Sequence, residues 1–306
     1  WTLVMDADSG KLWTNVTSPT TEDLNDVSFG KNTLVAVGGE GWKQEGGEWV
    51  RSGGIIIRST DNGVSWDNVT SINNTELNGV TFGNNTFVSV GTRSWSEGEE
   101  IIVRSTDNGK SWCGTNDISG NGQLNPIPTL NAVSYGNDIF VAVGGQWEWN
   151  GEVSSTKGTI WRSADNGHNW HNVTSPTEFH FRDVTFGNNT FVAVGDNGTI
   201  VRSTDNGATW NNTNVGGSSI QTITFGDNTF VASGWNGIMR STDNGATWDN
   251  ATTYNTWNSF EGMAFGNNTF VGVGYYGRID ISTDNGTTFD RVTSQTSNTL
   301  RGVTFY

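Results

Sequence analysis

The stretch RSTDNGATW combines residue types that could do chemistry, and it occurs at residues 202–210 and again at 240–248. A serine hydroxyl and an aspartate carboxylate at close spacing could take part in nucleophilic or acid–base catalysis. The same residues could instead build a turn. The carboxylate would accept N–H hydrogen bonds from its own turn, Asn-Gly would supply positive φ angles, and the tryptophan would pack over the hairpin.

The number of copies decides between these roles. After a degenerate DADSGKLW at residues 6–13, related stretches follow as STDNGVSW, STDNGKSW, SADNGHNW, STDNGATW (twice) and STDNGTTF, beginning at residues 59, 105, 163, 203, 241 and 282. Ordinary chemistry does not require seven equivalent catalytic sites. The motif is therefore predicted to be structural.

A second segment, of the type LNGVTFGNNTFVSVG, lies between the motifs and begins at residues 24, 77, 130, 181, 220 and 260. It predicts a strand A, a tight turn and a nearly continuous apolar strand B that is buried on both faces. A GTIVRST-type strand C and a strand D beginning at the motif tryptophan complete the unit. Four short strands repeated about seven times predict an all-β fold, a seven-bladed β-propeller, which forms one domain over residues 1–306.

The chain ends are predicted to share the last blade. Residues 300–306, LRGVTFY, have the sequence of a strand A, and residues 1–18 have the sequence of strands C and D. Strand B of that blade is missing. Either the sequence is clipped within a repeat or the blade closes with three strands, or a strand of another chain fills the gap.

These residues carry a family resemblance over essentially the whole chain. The Ser-x-Asp-x-Gly-x-x-Trp pattern resembles the Asp-box, or BNR, repeat of sialidases and many bacterial propellers. The unit GNNTFVAVGDNGTIVRSTDNGATW resembles repeats of the photosystem II assembly-factor family. The resemblance implies the propeller fold and leaves the function open, because Asp-box propellers include hydrolases, sugar-binding proteins, assembly factors and surface proteins.

The resemblance to sialidases implies an arginine triad, a Tyr–Glu nucleophile pair and an acidic general acid on the face opposite the Asp-boxes. Five arginines instead occupy one repeated position before the motif serines and are predicted to pair with neighbouring blades: Arg58, Arg104, Arg162, Arg202 and Arg240. The chain has no Arg-Ile-Pro segment, zinc signature or phosphate loop. We therefore expect a non-enzymatic protein without cofactor or metal, and the alternative is an Asp-box glycoside hydrolase.

Composition restricts the partners and the location. A net charge of −15, from 31 acidic and 16 basic residues, argues against nucleic acid or an anionic membrane surface and favours a neutral or cationic partner. The sequence contains no apparent membrane-spanning segment. Eleven Asn-x-Ser/Thr sequons suit a secreted or cell-surface glycoprotein, although Asn-rich turns before Thr-rich strands also create sequons by chance. They are Asn15, Asn68, Asn73, Asn84, Asn172, Asn188, Asn197, Asn211, Asn250, Asn267 and Asn285.

Function is expected where the repeats are interrupted. Three early units carry long insertions between strands B and C, at residues 39–54, 92–100 and 145–158, on the predicted face opposite the motif turns. Tryptophans beside carboxylates suit binding of a glycan or a protein, although they could instead cover the backbone of their own loops. The predicted ligand-binding residues are Trp42, Glu48, Trp49, Arg93, Trp95, Glu97, Trp147, Glu148 and Trp149. A third possibility is a subunit of an extracellular filament or surface layer that exchanges a strand through the incomplete blade.

Overall fold

The computed structural model describes residues 3–5, 13–39, 42–45, 48–51, 53–72, 75–93, 102–115, 128–149, 154–235, 237–251 and 259–306. Short 3₁₀ turns occupy Asp196–Gly198 and Tyr275–Gly277. The strands are, in chain order, β1 (Leu3–Met5), β2 (Trp13–Asn15), β3 (Leu24–Gly30), β4 (Thr33–Gly39), β5 (Trp42–Glu45), β6 (Glu48–Arg51), β7 (Gly54–Ser59), β8 (Asp67–Ile72), β9 (Thr75–Gly83), β10 (Thr86–Arg93), β11 (Ile102–Ser105), β12 (Cys113–Gly114), β13 (Thr129–Gly136), β14 (Ile139–Trp149), β15 (Ser154–Ser163), β16 (His171–Val173), β17 (Phe181–Gly187), β18 (Thr190–Gly195), β19 (Ile200–Ser203), β20 (Asn211–Asn212), β21 (Ile220–Gly226), β22 (Thr229–Gly234), β23 (Gly237–Ser241), β24 (Asp249–Asn250), β25 (Gly262–Gly266), β26 (Thr269–Gly274), β27 (Arg278–Ser282) and β28 (Asp290–Val292).

The described strands form six four-stranded antiparallel sheets, each with consecutive strands A to D. Blade 1 contains β3, β4, β7 and β8, and blades 2 to 6 contain β9–β12, β13–β16, β17–β20, β21–β24 and β25–β28. The A strands of successive blades pack side by side, so they are the innermost strands around an axis. This arrangement is a β-propeller.

The prediction of seven blades is wrong, because the described residues form six four-stranded blades. Residues 300–306, the expected strand A of the seventh, lie in no strand, and β1 and β2 pair with each other as a separate ribbon. The physical reason is that the strand-B segment occurs six times in the sequence. A seventh A strand has no adjacent B strand with which to form a ladder.

Residues 300–306 nevertheless lie between blade 6 and blade 1. A Cβ atom on Gly302 would lie 3.0 Å from the Cα of Asp26 in β3, and one on Gly262 in β25 would lie 2.2 Å from the carbonyl oxygen of Arg301. Leu300 belongs to the core of blade 6. The segment therefore fills the space between the innermost strands of these blades, while strand exchange between copies stays a prediction.

Alternating turns and apolar strands explain each blade. All six residues of β18 are buried, as a B strand covered on both faces requires. Phe191 in β18 packs against Phe186 of β17, with ring centroids 4.6 Å apart, and lies 6.4 Å from the ring of Trp210. Burying each such side chain contributes about 1.5–3 kcal/mol. The strands meet at two-residue turns with positive φ, such as Asn188 and Asn189, the geometry that hairpin twist favours.

The antiparallel order gives the propeller two different faces. The A–B turns and the motif turns between strands C and D lie on one face, here called the turn face. The B–C and D–A connections lie on the opposite face, here called the loop face.

Candidate functional site

The motif turns use their polar groups internally, as blade 4 shows. Asp205 accepts hydrogen bonds through Oδ1 from the Ser203 hydroxyl at 2.8 Å and the Thr209 N–H at 2.9 Å, and through Oδ2 from the Thr209 hydroxyl at 2.6 Å. Ser203 Oγ accepts from the Gly207 N–H at 2.9 Å, and the Trp210 indole N–H donates to the Gly207 carbonyl at 3.2 Å. The serine and aspartate are therefore committed to the turn.

Electrostatics and packing agree with this structural role. Hydrogen bonds from Ser65, followed by one from the Ser59 hydroxyl, lower the pKa of Asp61 to about 2. A carboxylate held ionised in this way is a poor general acid. Two of the repeated arginines join neighbouring blades as predicted: Arg58 Nε donates to the Asn108 carbonyl at 2.8 Å, and Arg162 Nε donates to the Asn206 carbonyl at 2.7 Å.

The predicted ligand-binding residues fall in the connections of blades 1 to 3. Trp42, Glu48 and Trp49 lie in the two-stranded ribbon β5–β6, which is inserted between strands B and C of blade 1. Arg93 ends β10, where it pairs with Thr75. Trp147, Glu148 and Trp149 lie in β14, which pairs with β15 as far as Ser154. Trp95 and Glu97 lie outside the described residues. The binding role of this set stays a prediction.

The sequons differ in accessibility. Eight of the asparagines are exposed, namely Asn68, Asn84, Asn172, Asn188, Asn197, Asn211, Asn250 and Asn267. Asn285 is half-buried and Asn15 lies in β2, whereas Asn73 lies outside the described residues. Glycan attachment at any of them stays a prediction.

A β-bulge near the start of the innermost strands positions a second set of side chains. The register shifts in the first five blades around the second residue of the LNGVTF-type segment, leaving one residue without a ladder partner: Asn25, Asn78, Asn131, Arg182 and Gln221. Such bulges re-aim side chains. In blades 1 to 3 these side chains form hydrogen bonds to the next blade. Asn25 donates to the carbonyl of Leu77 at 2.9 Å, Asn78 to that of Leu130 at 2.9 Å, and Asn131 to that of Phe181 at 2.6 Å.

Later in the chain the equivalent positions carry charged side chains, except for Gln221 in blade 5. Arg182 Nε donates to Asp196 Oδ1 at 2.6 Å, so it pairs with the first residue of its own B–C turn. Glu261 occupies the equivalent position in blade 6 and accepts a hydrogen bond from the Tyr275 hydroxyl. Arg301, in the terminal segment, pairs with Asp23 at 3.2 Å. The asparagine hydrogen bond between adjacent blades is thus replaced by an array of charged groups near the axis on the loop face.

Glu261 lies at the centre of this array. Burial raises its pKa, and the charge of Arg301, the Tyr275 hydrogen bond and the charge of Arg182 oppose that rise. The pKa of Tyr275 is also raised, first by the charge of Glu261 and then by burial, so its hydroxyl remains a donor at neutral pH. Both arginines therefore act on a single carboxylate, although they belong to different strands.

Exposed aromatic side chains lie on the same face as these charges. Trp235, Tyr275 and Tyr276, in the B–C turns of blades 5 and 6, are 56%, 41% and 84% exposed. Of seven large exposed apolar side chains in the described part of the chain, five lie on the loop face, the other two of these being Phe179 and Val215. We call the late-blade group the mouth sector and define it as Arg182, Asp196, Trp235, Glu261, Tyr275, Tyr276 and Arg301.

Tyr276 has a strained backbone. Its φ of 56° lies in the left-handed region, where the equivalent residue of blade 4 is Asn197, also at 56°. Asparagine tolerates this conformation, whereas a bulky aromatic residue there is an outlier that costs about 1 kcal/mol or more. The sequence thus places a large, exposed ring where a small polar residue fits the backbone better.

Sequence reasoning concentrated on the long early insertions and left out the charged part of this sector. The available signal was the second residue of the LNGVTF-type segment, which reads Asn in the first three copies and then Arg, Gln, Glu and Arg. Trp235, Tyr275 and Tyr276 stand in short B–C turns that the repeat makes visible in the sequence, and all three are exposed.

Neither a membrane-spanning helix nor a metal site is found among the described residues. No helix among them has the length and apolar character needed to span a bilayer. No three His, Cys, Asp or Glu side chains in that part of the chain are grouped closely enough to hold a metal ion.

Comparison with solved structures identifies the class of protein as a β-propeller. The chain is similar to YCF48 bound to a D1 peptide, with 19% identity over 90% of this chain and 82% of that one and a TM-score of 0.63. It is also similar to YCF48 from Cyanidioschyzon merolae (17% identity, 93% and 89% coverage, TM-score 0.62) and to the WD40 β-propeller domain of Doa1 (12%, 94% and 88%, 0.63). No protein-family model and no curated protein matches the chain. At these identities the likeness shows the fold.

Proposed function

We propose that this chain is a non-enzymatic binding propeller that holds an extended protein segment on its loop face, with the mouth sector as the central contact. The observation that carries the proposal is the exposure of Trp235, Tyr275 and Tyr276, all in the B–C turns of two successive blades on the loop face. Aromatic side chains of this kind supply most of the energy at protein interfaces. The β5–β6 ribbon and the extended β14–β15 hairpin belong to the same face.

Two further observations support the proposal. The strain at Tyr276 is the kind of backbone feature that persists where a side chain has a role outside the fold. A similar propeller, YCF48, was solved bound to a D1 peptide, which supports a peptide as a ligand class that this fold can bind.

Selection of a random peptide library against the intact protein tests the proposal without assuming a ligand sequence. We expect the selected peptides to bind the wild-type protein and to lose about tenfold or more in affinity when Trp235 or Tyr275 is changed to alanine, the loss typical of an interface hot spot. Val64→Ala is the matched control, because Val64 is 74% exposed on the turn face. Equal binding by all variants, or no selected binder, would contradict the proposal.

A glycoside hydrolase is the second candidate, and one observation favours it. The resemblance to sialidases implies a Tyr–Glu pair near arginines on the loop face, and Tyr275 and Glu261 form such a hydrogen-bonded pair beside Arg182 and Arg301. Glu261 could accept the hydroxyl proton while the tyrosine oxygen attacked the anomeric carbon, the bond to the glycosidic oxygen broke, and the leaving group took a proton from water. Water would then hydrolyse the tyrosyl–sugar bond and return the proton to the tyrosine. Turnover of a fluorogenic sialoside that is abolished by Tyr275→Phe supports the hydrolase. The absence of turnover by the wild-type protein contradicts it.

We also propose an extracellular or cell-surface location, which the exposure of eight sequon asparagines supports. The intact mass of the native protein tests this idea. Added hexose and N-acetylhexosamine mass is the expected result, and an unmodified mass at all sites would remove the support.

A further inference from the structure

We infer that the ligand of the loop face is a cationic protein segment, one that presents lysine or arginine side chains to the mouth sector. This inference rests on the proposed function and specifies its partner. The first observation is the distribution of glutamate. Among the described residues, the glutamates of the connections are Glu22, Glu45, Glu48, Glu178 and Glu261, while Glu76 is the second residue of β9 and Glu148 the penultimate residue of β14. Chain connectivity therefore assigns these seven glutamates to the loop-face end of the blades.

The acidic groups of the turn face are already used. The motif aspartates accept several hydrogen bonds each from their own turns, as in the two acceptor oxygens of Asp243, which bind the Thr247 N–H at 2.9 Å and its hydroxyl at 2.6 Å. The motif aspartates stay charged, but their oxygens are occupied, and the five repeated arginines that precede the motif serines lie at the same end of the blades. The loop face is therefore the more favourable one for a cationic partner. With a net charge of −15, the protein attracts cationic partners at long range and repels anionic ones.

The local charges in the mouth sector agree with this difference in negative charge between the two faces. Its two arginines are each paired with a carboxylate: Arg182 with Asp196, and Arg301 with Asp23. Glu261 adds a third carboxylate and Glu76, whose Oε1 accepts a 3.4 Å hydrogen bond from Asn25, adds a fourth nearby. The sector and its border therefore carry more negative than positive charge.

The aromatic rings complete the recognition chemistry. Exposed Trp and Tyr faces attract lysine and arginine side chains through cation–π contacts and also cover their apolar stems. Tyr275 supplies such a face beside Glu261, to which its hydroxyl donates, and Trp235 and Tyr276 supply exposed faces in the B–C turns of blades 5 and 6. Carboxylates beside exposed aromatic rings suit a peptide segment in which basic residues alternate with small ones.

Fluorescence anisotropy with three labelled peptides of equal length, alternating Lys-Gly, Ser-Gly and Glu-Gly, tests the inference on the intact protein. We expect the Lys-Gly peptide to bind most tightly, and its affinity to fall as ionic strength rises. Tyr276→Asn should weaken it about two- to fivefold, the effect of one exposed cation–π contact. Glu261→Gln, which keeps a hydrogen-bond acceptor for Tyr275, should weaken it by a similar factor.

The matched control is Asp290→Asn, which removes one exposed charge from the outermost strand of the same blade. If this variant weakens binding as much as Glu261→Gln, the attraction is general to an acidic protein and the inference is overturned. If the library-selected peptides bind through Trp235 but are neutral or acidic, the proposed function stands and the inference fails. If no peptide of any charge binds, both fail.

Discussion

The carboxylate of Asp26 in blade 1 accepts a hydrogen bond from the backbone N–H of Val80 in blade 2, with Oδ2 2.8 Å from the nitrogen. Its other oxygen accepts from the N–H of Val27, so one side chain joins two innermost strands. Asp183 makes the same contact between blades 4 and 5, through the N–H of Ile223 at 2.8 Å. The protonation state of these two carboxylates is therefore expected to affect the stability of the fold.

Stability is predicted to fall as pH rises toward neutrality. Burial raises the pKa of Asp26 to about 7 and that of Asp183 to about 6, above the usual 3.8. Between the usual pKa of 3.8 and the raised pKa of each group, the folded protein binds more protons than the unfolded chain. The free energy of unfolding therefore decreases as pH rises, by up to about 1.4 kcal/mol per pH unit for each group. Urea unfolding measured from acidic to neutral pH checks this slope.

Below about pH 4 the sign of this slope reverses, because unfolding breaks the hydrogen bonds that lower the pKa of the motif aspartates, to about 2 for Asp61 and Asp243. Their contribution is present above the unfolded pKa and is lost as pH falls toward 2. We thus expect maximum stability near pH 4–5. Asp26→Asn should flatten the slope toward neutrality, whereas exposed Asp249→Asn should not. An unchanged slope in Asp26→Asn would argue against the assignment.

Ser203→Ala is predicted to destabilise the protein by about 1–3 kcal/mol, because it leaves the buried Gly207 N–H without an acceptor. Neighbouring Thr204 is exposed, and Thr204→Ala should change stability by less than about 0.5 kcal/mol. Chemical denaturation of both variants makes the comparison. Equal effects would mean that the motif serine has no special structural role.

A buried ion pair in blade 6 gives a third prediction. Arg278 Nη2 lies 2.6 Å from Asp280 Oδ2, both side chains are about 5% exposed, and the guanidinium stacks on Phe260 at 4.6 Å. Asp280→Ala should cost about 3–5 kcal/mol, because it removes one partner of a buried ion pair and also the carboxylate that Arg291 contacts.

Blade 4 shows how the same space is filled without charge, since Thr199 and Val201 occupy the equivalent positions of the repeat. The double variant Arg278→Thr with Asp280→Val should therefore recover most of the loss caused by Asp280→Ala, as apolar replacement of a buried pair often does. Thermal and denaturant unfolding test the pair of variants. A double variant less stable than Asp280→Ala would refute this account of the pair.

Tyr276 is predicted to lower the stability of the fold and to strengthen peptide binding. Tyr276→Asn should raise the free energy of unfolding by about 1 kcal/mol through relief of the left-handed strain, and it should weaken peptide binding. The reciprocal change Asn197→Tyr, at the same φ in blade 4, should lower stability by a similar amount. Denaturation and binding are measured on the same samples, and a Tyr276→Asn protein that is less stable would contradict the strain argument.

Much of the fold was predictable from sequence because the repeat specifies local structure. Paired Asn residues at positive φ, fully apolar B strands such as β18 and the motif hydrogen bonds of Asp205 all follow from residue types at fixed spacing. The blade count was not predictable in this way. LRGVTFY has the composition of an A strand, but a strand also requires a ladder partner, and composition does not supply one.

The candidate site was partly predictable. Aromatic residues in the B–C turns can be read directly from the sequence, but the array formed by Arg182, Glu261 and Arg301 depends on β-bulges and on the meeting of distant strands near the axis. Single substitutions in a repeat, such as Glu for Asn at residue 261, indicate such a site only when the repeat is aligned position by position.

Hydrogen–deuterium exchange of the intact protein, with and without a library-selected peptide, tests most directly the central claim that the mouth sector is the binding surface. We predict that the bound peptide slows exchange at the backbone amides of residues 275–277 and at Trp235, and that the motif turns on the opposite face are unaffected. Protection confined to the turn face, with no change at 275–277, would contradict the claim.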